Sequence, residues 1–123
     1  MSTLAFVTPT TVTSGMLESF VRGFVGGYWI SHPTHVSAGI QQGDQAVWFE
    51  TNPTDDMTLQ ECYSAEEWQL LKEILHSEPR SMIGFEVTRL DESGQLLQAI
   101  VTEMHQIWGG GLENELLPNT SRL

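Results

Sequence analysis

The sequence predicts an α+β fold in which a ferredoxin-like (split βαβ) sheet is followed by an added C-terminal helix and a short strand. The chain has 123 residues, of which 40% are hydrophobic, so residues 1–123 suit a single domain with a core of ordinary size. Its apolar residues also recur with the spacing of strands and helices, in the order strand, helix, strand, strand, helix, strand. A further helical stripe near the C-terminus accounts for the added helix.

The first strand and the first helix are predicted within residues 4–28. Residues 4–8 form a short apolar and β-branched run, which is typical of a strand. Ser14 is suited to cap a helix, and Glu18 and Arg22 are spaced to pair on its outer face. The two glycines at 26–27 are expected to end this helix. Its apolar stripe consists of Leu17, Phe20, Val21, Phe24 and Tyr28.

The next two strands are predicted to form a hairpin. After the polar link SHPTH, the alternate residues Val36, Ala38 and Ile40 share one strand face. The stretch QQGDQ predicts a turn, and AVWFET predicts the returning strand. Residues 52–63 are polar and contain a proline, so they are expected to form an irregular loop.

The remaining elements carry start and stop signals. Ser64 and Glu67 have the spacing of a capping box, so a helix with a broad apolar face is expected to begin there and to end before Pro79. The strand in MIGFEVTR directs alternate residues inward, namely Ile83, Phe85 and Val87. The last helix is expected to begin near Ser93, with an apolar stripe of Leu97, Ile100, Val101, Met104 and Trp108.

Three consecutive glycines, at 109–111, follow this last helix in the stretch MHQIWGGGLENE. Glycine-rich phosphate loops precede a helix, because the free N–H groups and the positive end of the dipole lie at its N-terminus. The exposed backbone groups at a helix C-terminus are carbonyls. The glycines are therefore interpreted as a helix C-cap followed by a short extended segment, LENEL.

The charge balance restricts the kinds of partner. The chain has 16 acidic and 5 basic residues, which gives a formal net charge of −11. Binding to nucleic acid or to an anionic membrane requires a positive surface, so both are excluded and a charged partner is expected to be basic. A single cysteine, Cys62, excludes an internal disulfide, and the N-terminal segment lacks the pattern of a secretory signal. A cytoplasmic location is expected.

No residue pattern identifies a catalytic or metal site. His32 and His35 have a spacing that suits two metal ligands, but the sequence suggests no third ligand, so no metal and no cofactor is expected. Cys62 together with His35, His76 or His105 would supply a nucleophile and a base. Because Cys62 has no activating loop or helix N-terminus beside it, it is interpreted as a cysteine without a catalytic role.

A resemblance to a known class of protein rests on four stretches. The succession QAVWFET, SAEEWQLLKEIL, PRSMIGFEVTR and SGQLLQAIVTEMHQIWGGGLEN resembles small cytoplasmic immunity proteins of bacterial polymorphic-toxin and contact-dependent inhibition systems, over about residues 36–115. The resemblance lies in the order of the secondary-structure elements and in the general residue pattern. It implies a non-enzymatic protein that binds a cognate toxin and blocks it. Because such proteins diverge at the surface that faces the toxin, it assigns no functional residue.

The residues expected to contact a basic partner follow from their own chemistry. The segment 50–61 concentrates four carboxylates in a polar loop that leaves a sheet edge, and its spacing does not match a calcium loop. Tryptophan is also favoured at interfaces. The predicted partner-binding residues are Glu50, Asp55, Asp56, Glu61, Trp29 and Trp108. Two other functions stay open: a regulatory or structural homodimer that buries an apolar sheet face against its twin, and a small enzyme with a pocket not visible in the sequence.

Overall fold

The computed structural model describes residues 2–88 and 94–117, which form an α+β fold. Within these residues the chain forms six strands and five helices. None of these helices has the length and apolar character needed to cross a membrane. The elements in chain order are β1 (Ser2–Thr8), α1 (Ser14–Arg22), β2 (Gly27–His32), β3 (His35–Gln42), β4 (Gln45–Phe49), α2 (Asp56–Glu61), α3 (Ala65–Leu75), β5 (Ser81–Val87), α4 (Gln95–Trp108), β6 (Gly111–Leu112) and α5 (Glu113–Leu116).

All six strands form one antiparallel sheet in the order β2-β3-β4-β5-β1-β6. This order differs from the predicted split βαβ arrangement, in which one strand lies between the two strands that flank the first helix. Here three strands, β3, β4 and β5, separate β1 from β2. The difference arises because the chain continues from α1 into a three-stranded meander, β2 to β4, and β5 then inserts between β4 and β1.

One face of the sheet is covered by α1 and α4. Alternate residues of β5, namely Ile83, Phe85 and Val87, point into this layer and are at most 1% exposed, as the sequence predicts. The main core also receives Leu17, Phe20 and Val21 of α1 and Leu96, Leu97, Ile100, Met104 and Trp108 of α4. The apolar stripes of the two helices therefore account for most of the buried surface.

The opposite face is covered only in part. Met82 of β5 points away from the main core and packs against a second cluster, formed by Leu59, Tyr63, Leu71 and Leu117. These residues belong to α2, α3 and the segments that follow α2 and α5. The Tyr63 hydroxyl donates a 2.5 Å hydrogen bond to the Glu113 carboxylate, which connects the end of α2 to α5. Among the described residues, α2, α3 and α5 therefore cover this face around Met82, whereas Glu86 and Thr3, at the other end of the β1–β5 pair, are exposed.

Several local predictions are confirmed. Both hydrogen bonds of the capping box between Ser64 and Glu67 are present at 2.9 and 3.1 Å. Glu18 and Arg22 pair at 2.8 Å along α1. The hairpin of β3 and β4 turns at Gly43, which adopts a φ of 62° that favours glycine. The predicted start of the last helix near Ser93 falls outside the described residues.

Other boundaries differ from the predictions. Thr13, and not Ser14, caps α1, because its side chain accepts a hydrogen bond from the Met16 N–H. The helix ends at Arg22, and Tyr28, predicted to lie on its apolar stripe, belongs to strand β2. The segment 52–63 contains the short helix α2. At the C-terminus, LENEL is extended only at Leu112 and then forms α5.

Candidate functional site

The uncovered part of the sheet exposes apolar and acidic side chains together. The two β4 residues that flank Trp48 lie in the main core, so Trp48 points to the opposite face, where it is 36% exposed. On the edge strand β2, the same alternation directs Ile30 outward, and it is 59% exposed. We call this surface the open face and define it by Tyr28, Ile30, Ser37, Trp48, Glu50 and Glu86.

The strand register places these residues in two neighbouring rows across the sheet. One row runs from Tyr28 through Gly39 and Trp48 to Glu86. The next row contains Ile30, Ser37, Glu50 and Gly84. An aromatic or aliphatic side chain thus lies at the β2 end of each row. Glu86 of β5 ends the first row, and in the second the carboxylate of Glu50, which follows β4, lies against Gly84 of β5. Neither row contains a lysine or an arginine.

Glycines on the inner strands allow side chains to lie flat on this surface. A Cβ atom at Gly39 would be 2.8 Å from the Tyr28 hydroxyl oxygen, so the phenol ring crosses over the β3 backbone. A Cβ atom at Gly84 would be 2.6 Å from a carboxylate oxygen of Glu50. Because these glycines carry no side chain, the ring of Tyr28 and the carboxylate of Glu50 rest close to the sheet. The open face is therefore flat.

Of the predicted partner-binding residues, Glu50 lies on the open face. Asp55 and Glu61 are exposed at the two ends of α2, the helix that covers the neighbouring part of the sheet. Asp55 caps α2, with its carboxylate accepting a 2.9 Å hydrogen bond from the Thr58 N–H. Asp56 is the first residue of this helix, and its side chain is outside the described part of the structure.

The two predicted tryptophans lie in the core. Trp29 is 7% exposed and Trp108 is 9% exposed, which leaves little indole surface for a partner to contact. The Trp108 ring packs at 5.2 Å against that of Phe20, and its carbonyl oxygen accepts hydrogen bonds from the Thr8 and Thr10 hydroxyls. These positions have structural roles in the fold.

The sequence interpretation did not select Tyr28, Ile30, Trp48 and Glu86. A partial signal was present for Trp48, because strict alternation in AVWFE separates it from Val47 and Phe49. No local pattern indicates that this side of the strand stays uncovered. That property depends on where α2 and α3 pack.

His32 and His35 form the next row on the same sheet face, after Ile30 and Ser37, whereas His76, His105 and Cys62 belong to helices or helix ends. The rings of His32 and His35 stack at 4.8 Å in the β2–β3 turn, where the Thr34 hydroxyl lies 3.1 Å from the Nδ1 atom of each. Within residues 2–88 and 94–117, no three His, Cys, Asp or Glu side chains converge as metal ligands would. The absence of a metal and of a cofactor stays a prediction.

Cys62 occupies the C-cap position of α2 and is exposed. Its Sγ lies 3.5 Å from the Thr58 carbonyl oxygen, to which it donates. The sulfur therefore acts as a weak hydrogen-bond donor at the end of α2.

Replacing Cys62 by serine is expected to leave function and fold intact, because the hydroxyl can donate to the same carbonyl. The free energy of unfolding should change by no more than about 0.5 kcal/mol. Urea denaturation and binding of the native partner measure the two effects. Loss of activity in a folded Cys62→Ser variant would instead indicate thiol chemistry.

The glycine run has the structure of a helix C-cap, as predicted. The Gly109 N–H donates a 2.9 Å hydrogen bond to the His105 carbonyl oxygen, and Gly109 has a φ of 75°. Gly110 has a φ of 98° and lies against β1, where a Cβ atom would be 2.0 Å from the Val7 carbonyl oxygen. Both glycines are required by backbone geometry.

Comparison of the chain with protein-family models, with curated proteins and with solved structures found no match.

Proposed function

We propose that this protein is a cytoplasmic, non-enzymatic binding protein that neutralises a cognate bacterial toxin by docking its open face on a basic surface of that toxin. The observation that carries the proposal is the exposure of Trp48 and Ile30 on a flat sheet, with Glu50 and Glu86 beside them. Aromatic anchors ringed by polar groups are typical of protein interfaces. The identification of the partner as a toxin rests on the sequence resemblance.

The two kinds of side chain have separate roles in this proposal. Burial of the Trp48 indole and the Ile30 side chain supplies the affinity, since apolar burial contributes roughly 25 cal/mol per Å². Glu50 and Glu86 lie at the rim and, with the net charge of −11, attract a basic partner during diffusion. The acidic residues therefore determine mainly the rate of association, and the apolar residues the rate of dissociation.

A homodimer through the same face is the second candidate, because a face-to-face pair would also cover Trp48. In a two-fold dimer each copy presents the same patch, so the carboxylates of Glu50 and Glu86 would meet their own copies. Like charges brought together at an interface are unfavourable, and each chain carries a net charge of −11. This charge favours a basic partner over a second copy.

The proposal is tested by purifying the native protein with its partner, identifying that partner, and expressing the two genes separately and together. We expect the partner to have a basic surface and to arrest growth when expressed alone, and co-expression of this protein to restore growth. A self-associated protein without another partner would support the homodimer. A partner that is a small-molecule substrate would support the enzyme.

Charge reversal on the open face is expected to slow association with this partner. Glu86→Lys should lower the association rate constant several-fold at low salt, and Glu50→Lys/Glu86→Lys should lower it about tenfold or more, with smaller effects at high salt. Glu103→Lys is the matched control, since Glu103 is exposed on α4, which covers the opposite face. Stopped-flow association measured at several salt concentrations separates these effects. Equal slowing by Glu86→Lys and Glu103→Lys would show that only net charge matters and would remove the open face from the proposal.

Asp55 is unsuited to this test although its carboxylate is exposed. Because Asp55 caps α2, its replacement by lysine removes a cap and is expected to cost about 0.5–2 kcal/mol of stability. A loss of binding in such a variant would not distinguish an interface charge from a weakened helix.

A further inference from the structure

Strand β1 has an edge that is only partly paired. On one side, β1 pairs with β5 from Ser2 to Thr8. On its other side, β6 pairs only with Phe6 and Val7. Among residues 2–88 and 94–117, no strand pairs with this second side of β1 over residues 2–5.

The register shows which backbone groups face this edge. Gly84 accepts a 2.9 Å hydrogen bond from the chain that follows β4, so the backbone groups of Gly84 face β4 and those of Phe85 face β1. Leu4 is opposite Phe85, and its backbone groups therefore face β5. By the same alternation, the N–H and C=O groups of Thr3 and Ala5 point to the side of β1 away from β5.

A cleft of about 530 Å³ lies beside this edge, between α4 and the segment from β6 to α5. Its apolar walls combine core residues with the half-buried side chains of Leu4, Val101 and Leu116. The cleft extends the sheet beyond β1 and lies next to α4. An extended chain in this position would pair with β1 on one side and contact the helix with alternate side chains.

The charge of the cleft restricts its occupant. Among the described residues that line it, the titratable ones are His105 and Glu115, and none is a lysine or an arginine. The His105 Nδ1 atom lies 2.7 Å from the Gly110 carbonyl oxygen, which only accepts, so this nitrogen donates and the ring is fixed at the cleft wall. With an exposed Glu115 and a net charge of −11, the cleft suits a neutral or basic segment.

We infer that the β1 edge and this cleft form a strand-addition site for an extended segment of a partner protein, apolar at alternate positions and carrying basic residues. The segment pairs with Thr3 and Ala5 and places its apolar side chains against Leu97, Val101 and Leu116. This site lies on the side of β1 away from the open face, with Thr3 opposite Glu86 across the β1–β5 pair, and the inference does not depend on the proposed toxin.

The probe for this inference is a library of random dodecapeptides displayed on phage and selected on the full chain. We expect the selected peptides to alternate apolar residues and to contain lysine or arginine. In the complex, hydrogen exchange at the Thr3 amide should slow at least about tenfold, because this N–H becomes hydrogen-bonded. Selection of no peptide, or protection confined to other parts of the chain, would contradict the inference.

Two variants test the geometry of binding. Thr3→Pro removes an N–H that faces the cleft and does not bond to β5, so the β1–β5 pairing is retained, and the peptide Kd should rise about tenfold. Thr3→Val, which keeps the N–H, is the matched control. Val101→Lys should weaken the peptide similarly by placing a cation in the cleft, whereas Trp48→Ala, an uncharged change two strands away from β1, should leave the Kd within about twofold of the wild type.

The alternative occupant is the C-terminal segment of the same chain. If removal of residues 118–123 raises the affinity for the selected peptides about tenfold and the synthetic peptide PNTSRL protects Thr3, the cleft accommodates the chain's own end and the inference of a partner segment is wrong. Unchanged peptide affinity after this deletion, together with the loss in Thr3→Pro, supports the partner segment.

Discussion

Replacing Gly110 by alanine is expected to lower the free energy of unfolding by about 3 kcal/mol or more. Gly110 has a φ of 98°, which side chains rarely adopt, and an added Cβ would be 2.0 Å from the Val7 carbonyl oxygen and 2.8 Å from the Thr8 Cα. Both of these atoms belong to the backbone of β1, so the clash cannot be relieved by rotation of a side chain. Urea denaturation, read as a shift of the midpoint at constant slope, measures the loss.

Gly43→Ala is the matched control for this loss. Gly43 also has a positive φ, 62°, but nothing lies within 4 Å of an added Cβ. Its replacement should therefore cost only the backbone strain of about 1–2 kcal/mol. If Gly110→Ala costs no more than Gly43→Ala, the close approach of the glycine run to β1 is not what requires glycine. A ligand-binding role for the run would predict the opposite pattern, with little loss of stability and a loss of ligand.

Replacing Trp48 by alanine is expected to raise the Kd for the native partner by about 30-fold or more, which corresponds to about 2 kcal/mol. Trp48 is a large apolar side chain in the middle of the open face, 36% exposed in the free protein, and a partner that covers it removes the remaining indole surface from water. The change should come mainly from faster dissociation. Surface plasmon resonance, carried out well below the thermal midpoint of each variant, measures both rates.

Two variants identify the origin of this loss. Ile107→Ala removes a side chain that is 49% exposed on α4, on the other side of the sheet, and should leave the Kd within about twofold. Trp29→Ala, in contrast, creates a cavity in the core, so it should lower the free energy of unfolding by about 3–5 kcal/mol. If Trp48→Ala binds like the wild type while remaining folded, the partner does not dock on the open face.

The elements that were predicted correctly depend on signals within a few residues. The capping box at Ser64 and Glu67, the turn at Gly43 and the cap at Gly109 each fix the chain through local hydrogen bonds or dihedral angles. The inward alternation of β5 is equally local, because successive side chains of any strand point to opposite faces. For this reason local patterns were enough to identify α3, α4, β5 and the β3–β4 hairpin, without knowledge of the elements against which they pack.

The strand β2 was missed because its identity depends on pairing. Tyr28 fits both the three- and four-residue spacing of α1 and the alternation of a strand, so the local pattern is ambiguous. The strand is specified by its register with β3, in which Trp29 is opposite Ala38. Pairing across a sheet joins residues that are distant in the chain, and no local pattern reports it.

The amino-acid sequence by itself determined the acidic charge, the positions of most helices and strands, and the side of β5 that turns to the core. The tertiary structure alone decided the strand order, the burial of Trp29, and the exposure of Trp48 and Ile30. Trp29 is buried because α1 and α4 pack on the first face, and Trp48 and Ile30 are exposed because α2, α3 and α5 pack around Met82, at the other end of the second face. An alternating strand pattern specifies that its two faces differ, but only the packing of other elements decides which of them meets water.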